Sequence, residues 1–251
     1  MKAIFITVRT GSKRLKNKSL LKINDKTTIE HLIHRVKKSK KTNVVVLCTS
    51  TLKEDDVLCN IAEANDILYF RGSPQDKLNR WNEACKKFEI DFFVTADGDD
   101  LFCDPDLIDL AFDQYDKSNR SIDFIKSDNV ICGTFTYAIK SDALEKVCKI
   151  KDTDDTEMMW VYFTDTGLFK VENLKNIKSI YCRDDIRMTL DYDDDFKFFK
   201  NIIEYFGSQE YTLKDIILYI DSNPAIKMIN FHRHKEWAEN QKNKIKLVLK
   251  S

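Results

Sequence analysis

KAIFITVRTGSKRLKNKSL, residues 2–20, decides how the rest of the chain is read. Residues 3–8 form an apolar run broken only by Thr7, the length of a strand buried on both faces. The run stops at Arg9-Thr10-Gly11-Ser12-Lys13-Arg14-Leu15-Lys16-Asn17-Lys18, a loop with five cations and no acid. Such a loop suits a polyphosphate. Backbone N–H groups near Gly11 can approach phosphate oxygens closely, and arginine and lysine neutralise the charge that the backbone leaves. A basic, solvated surface loop would have the same composition. Its place favours the ligand reading, because open α/β sheets bind ligands at the carboxyl ends of their strands.

Outward from this stretch, strand-length apolar runs alternate with helix-patterned segments. Residues 43–49, 67–70 and 92–96 read as strands, and 28–38, 55–64 and 75–88 as helices. Asp104-Pro105-Asp106 opens another helix, with proline near its first position. This alternation predicts an α/β fold, a mostly parallel, mixed central sheet with helices on both faces. The second half is less regular. Residues 122–125, 134–139 and 186–190 read as strands, and 142–147, 152–160, 193–206 and 212–222 as helices. The tail from Lys235 is basic and amphipathic, either a terminal helix or a partner surface. Without repeats, low-complexity segments or an evident linker, a single domain over 1–251 is expected.

Composition narrows the function. Lys plus Arg equals Asp plus Glu, 41 each, which argues against a protein built to coat nucleic acid. No apolar run is long enough to span a bilayer and no secretory h-region precedes the first strand, so a cytoplasmic protein with no membrane partner is expected. The seven cysteines are scattered without a C-x-x-C pair, as expected of reduced, mostly buried thiols. Only six glycines occur, and Gly11, Gly72 and Gly98 each follow a strand candidate, where backbone could approach a ligand.

A triphosphate site needs a divalent ion, and Mg²⁺ takes one or two carboxylates with phosphate oxygens and water. Two acidic clusters sit at expected strand ends: Asp97, Asp99 and Asp100, and Asp191 to Asp195. Asp193, Asp194 and Asp195 also begin a helix, whose dipole favours acids, and Asp104 and Asp106 flank another helix start. Asp99 and Asp191 are left as the metal candidates. In this reading Arg9, Arg14 and Lys18 hold the β- and γ-phosphates, and a nucleophile attacks the α-phosphorus to expel pyrophosphate.

At this point the residues resemble a family. Arg9-x-x-Ser12-x-Arg14-Leu15-x-x-Lys18-x-Leu20 is similar to the triphosphate loop of cytidylyltransferases that activate sugar acids, the acylneuraminate, 3-deoxy-manno-octulosonate and SpsF-like enzymes. Arg71-Gly72-Ser73-x-x-Asp76-x-Leu78-x-Arg80, Gly98-Asp99 with Asp104-Pro105, and Ile186-Arg187-Met188-Thr189-Leu190-Asp191 with Asp195 follow in the same order. The resemblance implies a GT-A-like nucleotidyltransferase fold, Mg²⁺-dependent transfer of CMP from CTP to a small anionic acceptor, and a homodimer. It implies Arg14, Lys18, Asp99 and Asp191 as catalytic, the two aspartates as metal ligands, and Arg9, Gly11, Ser12, Arg71, Asp76 and Arg80 as nucleotide-side contacts. It also divides the chain into a nucleotide-binding half (1–110), an acceptor-binding half (111–206) and a helical tail (207–251).

Three departures from the family pattern stand out. Lys16-Asn17 replaces a Pro-Gly; asparagine tolerates positive φ, so the turn can survive. Asp97-Gly98-Asp99-Asp100-Leu101 stands where the pattern has T-G-D-C-P, adding acids beside the metal. Met158-Met159-Trp160-Val161-Tyr162 replaces a segment expected to touch the acceptor. Asp97-Gly98-Asp99 is also a D-x-D, which fits a glycosyltransferase using a nucleotide sugar, although such an enzyme does not need the basic loop. A nucleotide-binding module without chemistry is the third reading.

Overall fold

The computed structural model describes residues 1–12 and 14–250; Lys13, a cation of the first loop, and Ser251 lie outside the described residues. The strands are β1 (Lys2–Thr7), β2 (Lys22–Ile23), β3 (Lys26–Thr27), β4 (Val45–Ser50), β5 (Leu68–Gly72), β6 (Phe92–Asp97), β7 (Phe124–Lys126), β8 (Tyr137–Lys140) and β9 (Val171–Asn173). Between and after them run the helices α1 (Thr28–Val36), α2 (Asp56–Ala64), α3 (Lys77–Phe88), α4 (Pro105–Lys117), α5 (Ser141–Ile150) and α6 (Val161–Thr164). The chain continues through α7 (Asp193–Phe206), α8 (Leu213–Ser222), α9 (Pro224–Met228) and α10 (His234–Lys242).

Seven strands make one sheet in the order β5-β4-β1-β6-β8-β7-β9, and β2 and β3 form a separate ribbon. β5, β4, β1 and β6 are parallel; β8 alone runs against its neighbours β6 and β7. The chain builds outward from β1 to β5, then returns to add β6 on the other side of β1. The loops after β1 and β6 therefore diverge at a topological switch point, where a crevice opens.

Side chains alternate through the sheet and feed two cores. Ile4, Ile6, Val45, Leu47 and Val94 meet α1, α4, α7 and α8 on one face, while Ala3, Phe5, Val46 and Phe93 meet α3, α5 and α6 on the other. Phe5 stacks on Phe93 at 4.3 Å, and Trp81 packs edge-on against Phe93 at 5.7 Å. Thr7, the polar residue in the β1 run, accepts the Trp81 indole N–H at 2.8 Å, so the buried donor is satisfied.

Local signals set the helix starts. Thr27 and Glu30 form a capping box on α1, Asp76 caps α3, Asp104 caps α4 ahead of Pro105, and Thr212 caps α8 with Asp215. Each such cap stabilises its helix by about 1 kcal/mol.

Two expectations differ from the structure. Residues 186–190 form no strand: they are buried, but Met188 N–H donates to Cys132 and Leu190 N–H to Asp99, both loop carbonyls, so no ladder develops. Residues 152–160 are not helical, and helix begins only at Val161. There the acidic side chains turn outward to the C-terminal segment, Asp155 to Lys246 and Glu157 to Lys244.

Candidate active site

The loop after β1 is held at both ends. Thr10 donates from its N–H and hydroxyl to one oxygen of Asp55, at 2.8 and 2.7 Å, and Ser50 donates to the other. Burial would raise the Asp55 carboxyl, but the donations from Ser50 and Thr10 hold it below the ordinary range. At the far end Asn17 takes the left-handed conformation, φ 53°, and leads into the short turn Lys18–Leu20. The Lys18 carbonyl then accepts the Thr28 hydroxyl at 2.5 Å, tying the loop to the start of α1.

Anchored in this way, the Lys18 ammonium donates to Asp99 at 2.6 Å, to the Leu190 carbonyl at 2.7 Å and to Asp191 at 3.0 Å. Arg14 donates to the same Asp191 oxygen at 2.5 Å. Behind them Arg187, fully buried, reaches the other Asp191 oxygen at 3.2 Å and Asp195 at 3.1 Å. Asp195 in turn accepts the backbone N–H groups of Asp191 and Tyr192, and Asn230 closes the network against Asp195 and the Arg187 carbonyl.

Burial would drive Lys18 towards neutrality, yet Asp99 and Asp191 outweigh it and hold the ammonium above its ordinary range. For Asp191, burial is likewise outweighed by Lys18 and Arg14, which keep the carboxyl low. Burial raises Asp99 despite Lys18, and raises Asp100 strongly, with Asp99 beside it.

Glycine is required where the loops clasp one another. A Cβ on Gly98 would stand 2.6 Å from Val8 Cβ, and Gly133, at φ +87°, would put one 1.9 Å from the Met188 carbonyl. The approach at Gly98 is therefore to the protein's own β1 loop.

These loops open into a cleft of about 880 Å³. Of the residues expected at the site, Arg9, Gly11, Ser12, Arg14, Lys18, Arg80 and Asp99 line it. Asp191 lies one layer below the lining, covered by Arg14 and Lys18. Arg80 is buried and donates to the Ser73 carbonyl at 2.5 Å.

Arg71 and Asp76 are not brought into the cleft lining. Arg71 turns along the sheet edge to the carbonyls of Ser50 and Leu52 and to Asp56. Asp76 caps α3 and binds Lys151 at 2.5 Å and the Thr156 hydroxyl at 3.0 Å. Both are satisfied by protein groups, which accounts for their place in the sequence pattern without a ligand.

The donor set fits a hard divalent cation. Two carboxylates, Asp99 and Asp191, already converge on one positive group, the Lys18 ammonium. Among the described residues no group of three or more His, Cys, Asp or Glu side chains could hold a metal ion, so phosphate and water would have to complete the coordination of a bound ion.

The sequence matches the family model described as cytidylyltransferase over residues 3–247. The chain belongs to the cytidylyltransferase family. It is 36% identical over 237 residues to an uncharacterized protein of Methanocaldococcus jannaschii, covering 93% of this chain and 96% of that one. It is 24% identical over 225 residues to the spore coat polysaccharide biosynthesis protein SpsF of Bacillus subtilis, covering 87% and 93%. A cytidylyltransferase from Leptospira borgpetersenii superposes with a TM-score of 0.82 at 29% identity, over 90% of this chain and 95% of the other. CMP:2-keto-3-deoxy-manno-octonic acid synthetase, whose structure contains CTP, shares the fold, with a TM-score of 0.61 at 14% identity over 81% of this chain and 98% of its own.

Family membership makes the chain a nucleotidyltransferase with CTP as donor, and decides against the nucleotide-sugar reading of Asp97-Gly98-Asp99. Asp97 is paired with Lys77 at 3.0 Å. Among the described residues no helix is long and apolar enough to cross a membrane.

Several functional residues escaped the sequence reading. Asp55 looked like a helix start, and its hold on Thr10 has no local signal. Asp195 was named with Asp191 in the family motif, but its hold on Arg187 and on two backbone N–H groups was not read from it. The cleft wall supplied by Trp237, Asn240, Gln241 and Lys244 had only an amphipathic tail to announce it.

Proposed function

We infer that the protein transfers CMP from CTP to a small anionic acceptor, a sugar acid, and releases pyrophosphate with Mg²⁺ as cofactor. The observation that carries this reading is the balanced cluster in which Lys18 and Arg14 are held by Asp99 and Asp191. Three cations, Lys18, Arg14 and Arg187, face three acids, Asp99, Asp191 and Asp195. A triphosphate entering this cluster draws Lys18 and Arg14 from carboxylate to phosphate oxygens, which frees the two aspartates.

Asp99 and Asp191 would hold Mg²⁺, which when bound supplies positive charge at the α-phosphate and the leaving pyrophosphate. Arg9, Arg14 and Lys18 orient the β- and γ-phosphates. The acceptor oxygen forms a bond to the α-phosphorus as the bond to the bridging oxygen of pyrophosphate breaks, and the acceptor proton is released to solvent. Arg187 and Asp195 touch no substrate; they position Asp191 from behind. In this reading residues 1–110 carry the nucleotide, and 111–206 together with the tail carry the acceptor. Homodimer assembly and a cytoplasmic location belong to the same proposal, by analogy with the family.

Thermal stabilisation by Mg²⁺ with CTP, GTP, UTP, ATP and nucleotide sugars tests the donor without knowledge of the acceptor. The expected result is a shift in melting temperature selective for CTP. A shift confined to a nucleotide sugar would overturn the proposal.

A further inference from the structure

Lys18 has no donor to spare. An ammonium carries three N–H groups, and those of Lys18 go to Asp99 Oδ2 at 2.6 Å, the Leu190 carbonyl at 2.7 Å and Asp191 Oδ1 at 3.0 Å. Two carboxylates and a carbonyl around one positive charge are the ligands that a hard cation takes. Lys18 thus stands at the point where the two aspartates converge.

Asp191 is closed to a further cation. Its Oδ1 accepts Lys18 and also Arg14, at 2.5 Å, and its Oδ2 accepts Arg187 at 3.2 Å. Only 2% of its side chain is exposed, beneath Arg14 and Lys18, which are 30% and 16% exposed. A divalent ion approaching on its own meets three positive groups around the oxygens it needs. Displacing them would strip partners from buried charges with no anion to receive them, which opposes its entry. A triphosphate reverses this balance, because it offers Arg14 and Lys18 new oxygens as it draws them away.

The movement needed is small. The Lys18 main chain is fixed, with its carbonyl accepting the Thr28 hydroxyl at 2.5 Å and Leu20 N–H donating to the Asn17 carbonyl at 2.8 Å. The flexible four-carbon stem can swing the ammonium while the loop stays in place.

We propose that Lys18 is an internal counter-cation that bars a divalent ion from Asp99 and Asp191 until a triphosphate withdraws it, so that the metal enters with the nucleotide or after it. This rests on the cytidylyl-transfer reading and adds a rule of assembly to it. Removing the ammonium should then open the site to a divalent ion alone.

The test is Mn²⁺ binding followed by water-proton relaxation, which registers Mn²⁺ held on a slowly tumbling protein; Mn²⁺ takes the same oxygen ligands as Mg²⁺. With Mn²⁺ as the only probe, the wild type should bind at least about tenfold more weakly than Lys18→Ala, and CTP should remove that deficit. Lys18→Ala/Asp191→Asn should lose the gain, which ties it to this site. At a tenfold excess over its dissociation constant, Mg²⁺ without nucleotide should raise the melting temperature of Lys18→Ala by about 3 °C or more and leave that of the wild type unmoved. Equal Mn²⁺ affinity in the wild type and Lys18→Ala, or a gain that survives Asp191→Asn, would overturn the proposal. Mn²⁺ binding by the wild type as strong without CTP as with it would do so alone, even if the variant failed to fold. Failure of the wild type to bind CTP at all would strike the cytidylyl-transfer reading and leave the Mn²⁺ comparison between wild type and Lys18→Ala to decide the role of the lysine.

Discussion

The loop after β1 and the end of β5 look alike as sequence: each closes an apolar run and carries an arginine, a glycine and a serine, Arg9, Gly11 and Ser12 in one and Arg71-Gly72-Ser73 in the other. In the folded chain they diverge. Arg14 and Lys18, after β1, converge with Asp99 and Asp191 at the cleft, whereas Arg71, in β5, is held by the carbonyls of Ser50 and Leu52. Their places in the sheet account for the difference. β1 lies beside β6 at the switch point, where diverging loops leave open space; β5 is an edge strand whose loop folds back on its own neighbours. The cations of the first loop thus meet the carboxylates of Asp99 and Asp191 beside open space, whereas Arg71 is held along the sheet edge.

The contrast can be broken at several points. The largest expected effect is at Asp195, whose removal leaves the fully buried Arg187 short of its main partner. Asp195→Ala should cost about 3–5 kcal/mol in a denaturant melt; a cost near zero would mean that the buried network does not support the site. Arg14→Ala should weaken CTP binding by roughly 1.5–3 kcal/mol, the range for a hydrogen bond to a charged group, with the fold intact by circular dichroism. An unchanged affinity would move the triphosphate away from this loop.

Asp55 links the regions by holding Thr10 of the first loop from the start of α2. Its carboxyl is depressed in the folded protein, so its stabilisation is full above the ordinary carboxylate range and is lost as pH falls through the folded value. The melting-temperature gap between wild type and Asp55→Asn should therefore be widest near neutrality, equivalent to about 1–2 kcal/mol, and should close below about pH 4. A gap that does not vary with pH would assign the effect to packing alone. The smallest effect is expected at Arg71: Arg71→Ala should change CTP affinity by less than about twofold, since its hydrogen bonds are to the protein's own backbone. A large loss there would erase the contrast between the loops.

The first half of the fold was legible because regular elements signal locally. Apolar runs of strand length, the Thr27–Glu30 capping box and the Asp104-Pro105 helix start are all readable within a few residues. Lys18, Arg14 and Asp99 were legible for the same reason, lying just beyond such elements. Residues 186–190 misled because a buried apolar run need not pair as a strand; their N–H groups go to loop carbonyls that no local pattern reveals. Asp76 could not be placed from sequence because capping and pairing with Lys151 ask for the same residue type as ligand binding. The α10 wall was hidden because its contacts join distant stretches of the chain, as Lys244 to Glu157, 87 residues apart, shows.

The central claim is that Lys18 and Arg14 exchange carboxylates for phosphates while Asp99 and Asp191 take the metal. The most direct test is CTP affinity with and without Mg²⁺, measured by calorimetry on the wild type, Asp99→Asn and Asp191→Asn. The account predicts tighter binding with Mg²⁺ in the wild type, loss of that enhancement in both variants, and Mg²⁺-free binding in the variants at least as tight as in the wild type, because an acid opposing the triphosphate is gone. The same Mg²⁺ enhancement in all three proteins would contradict it.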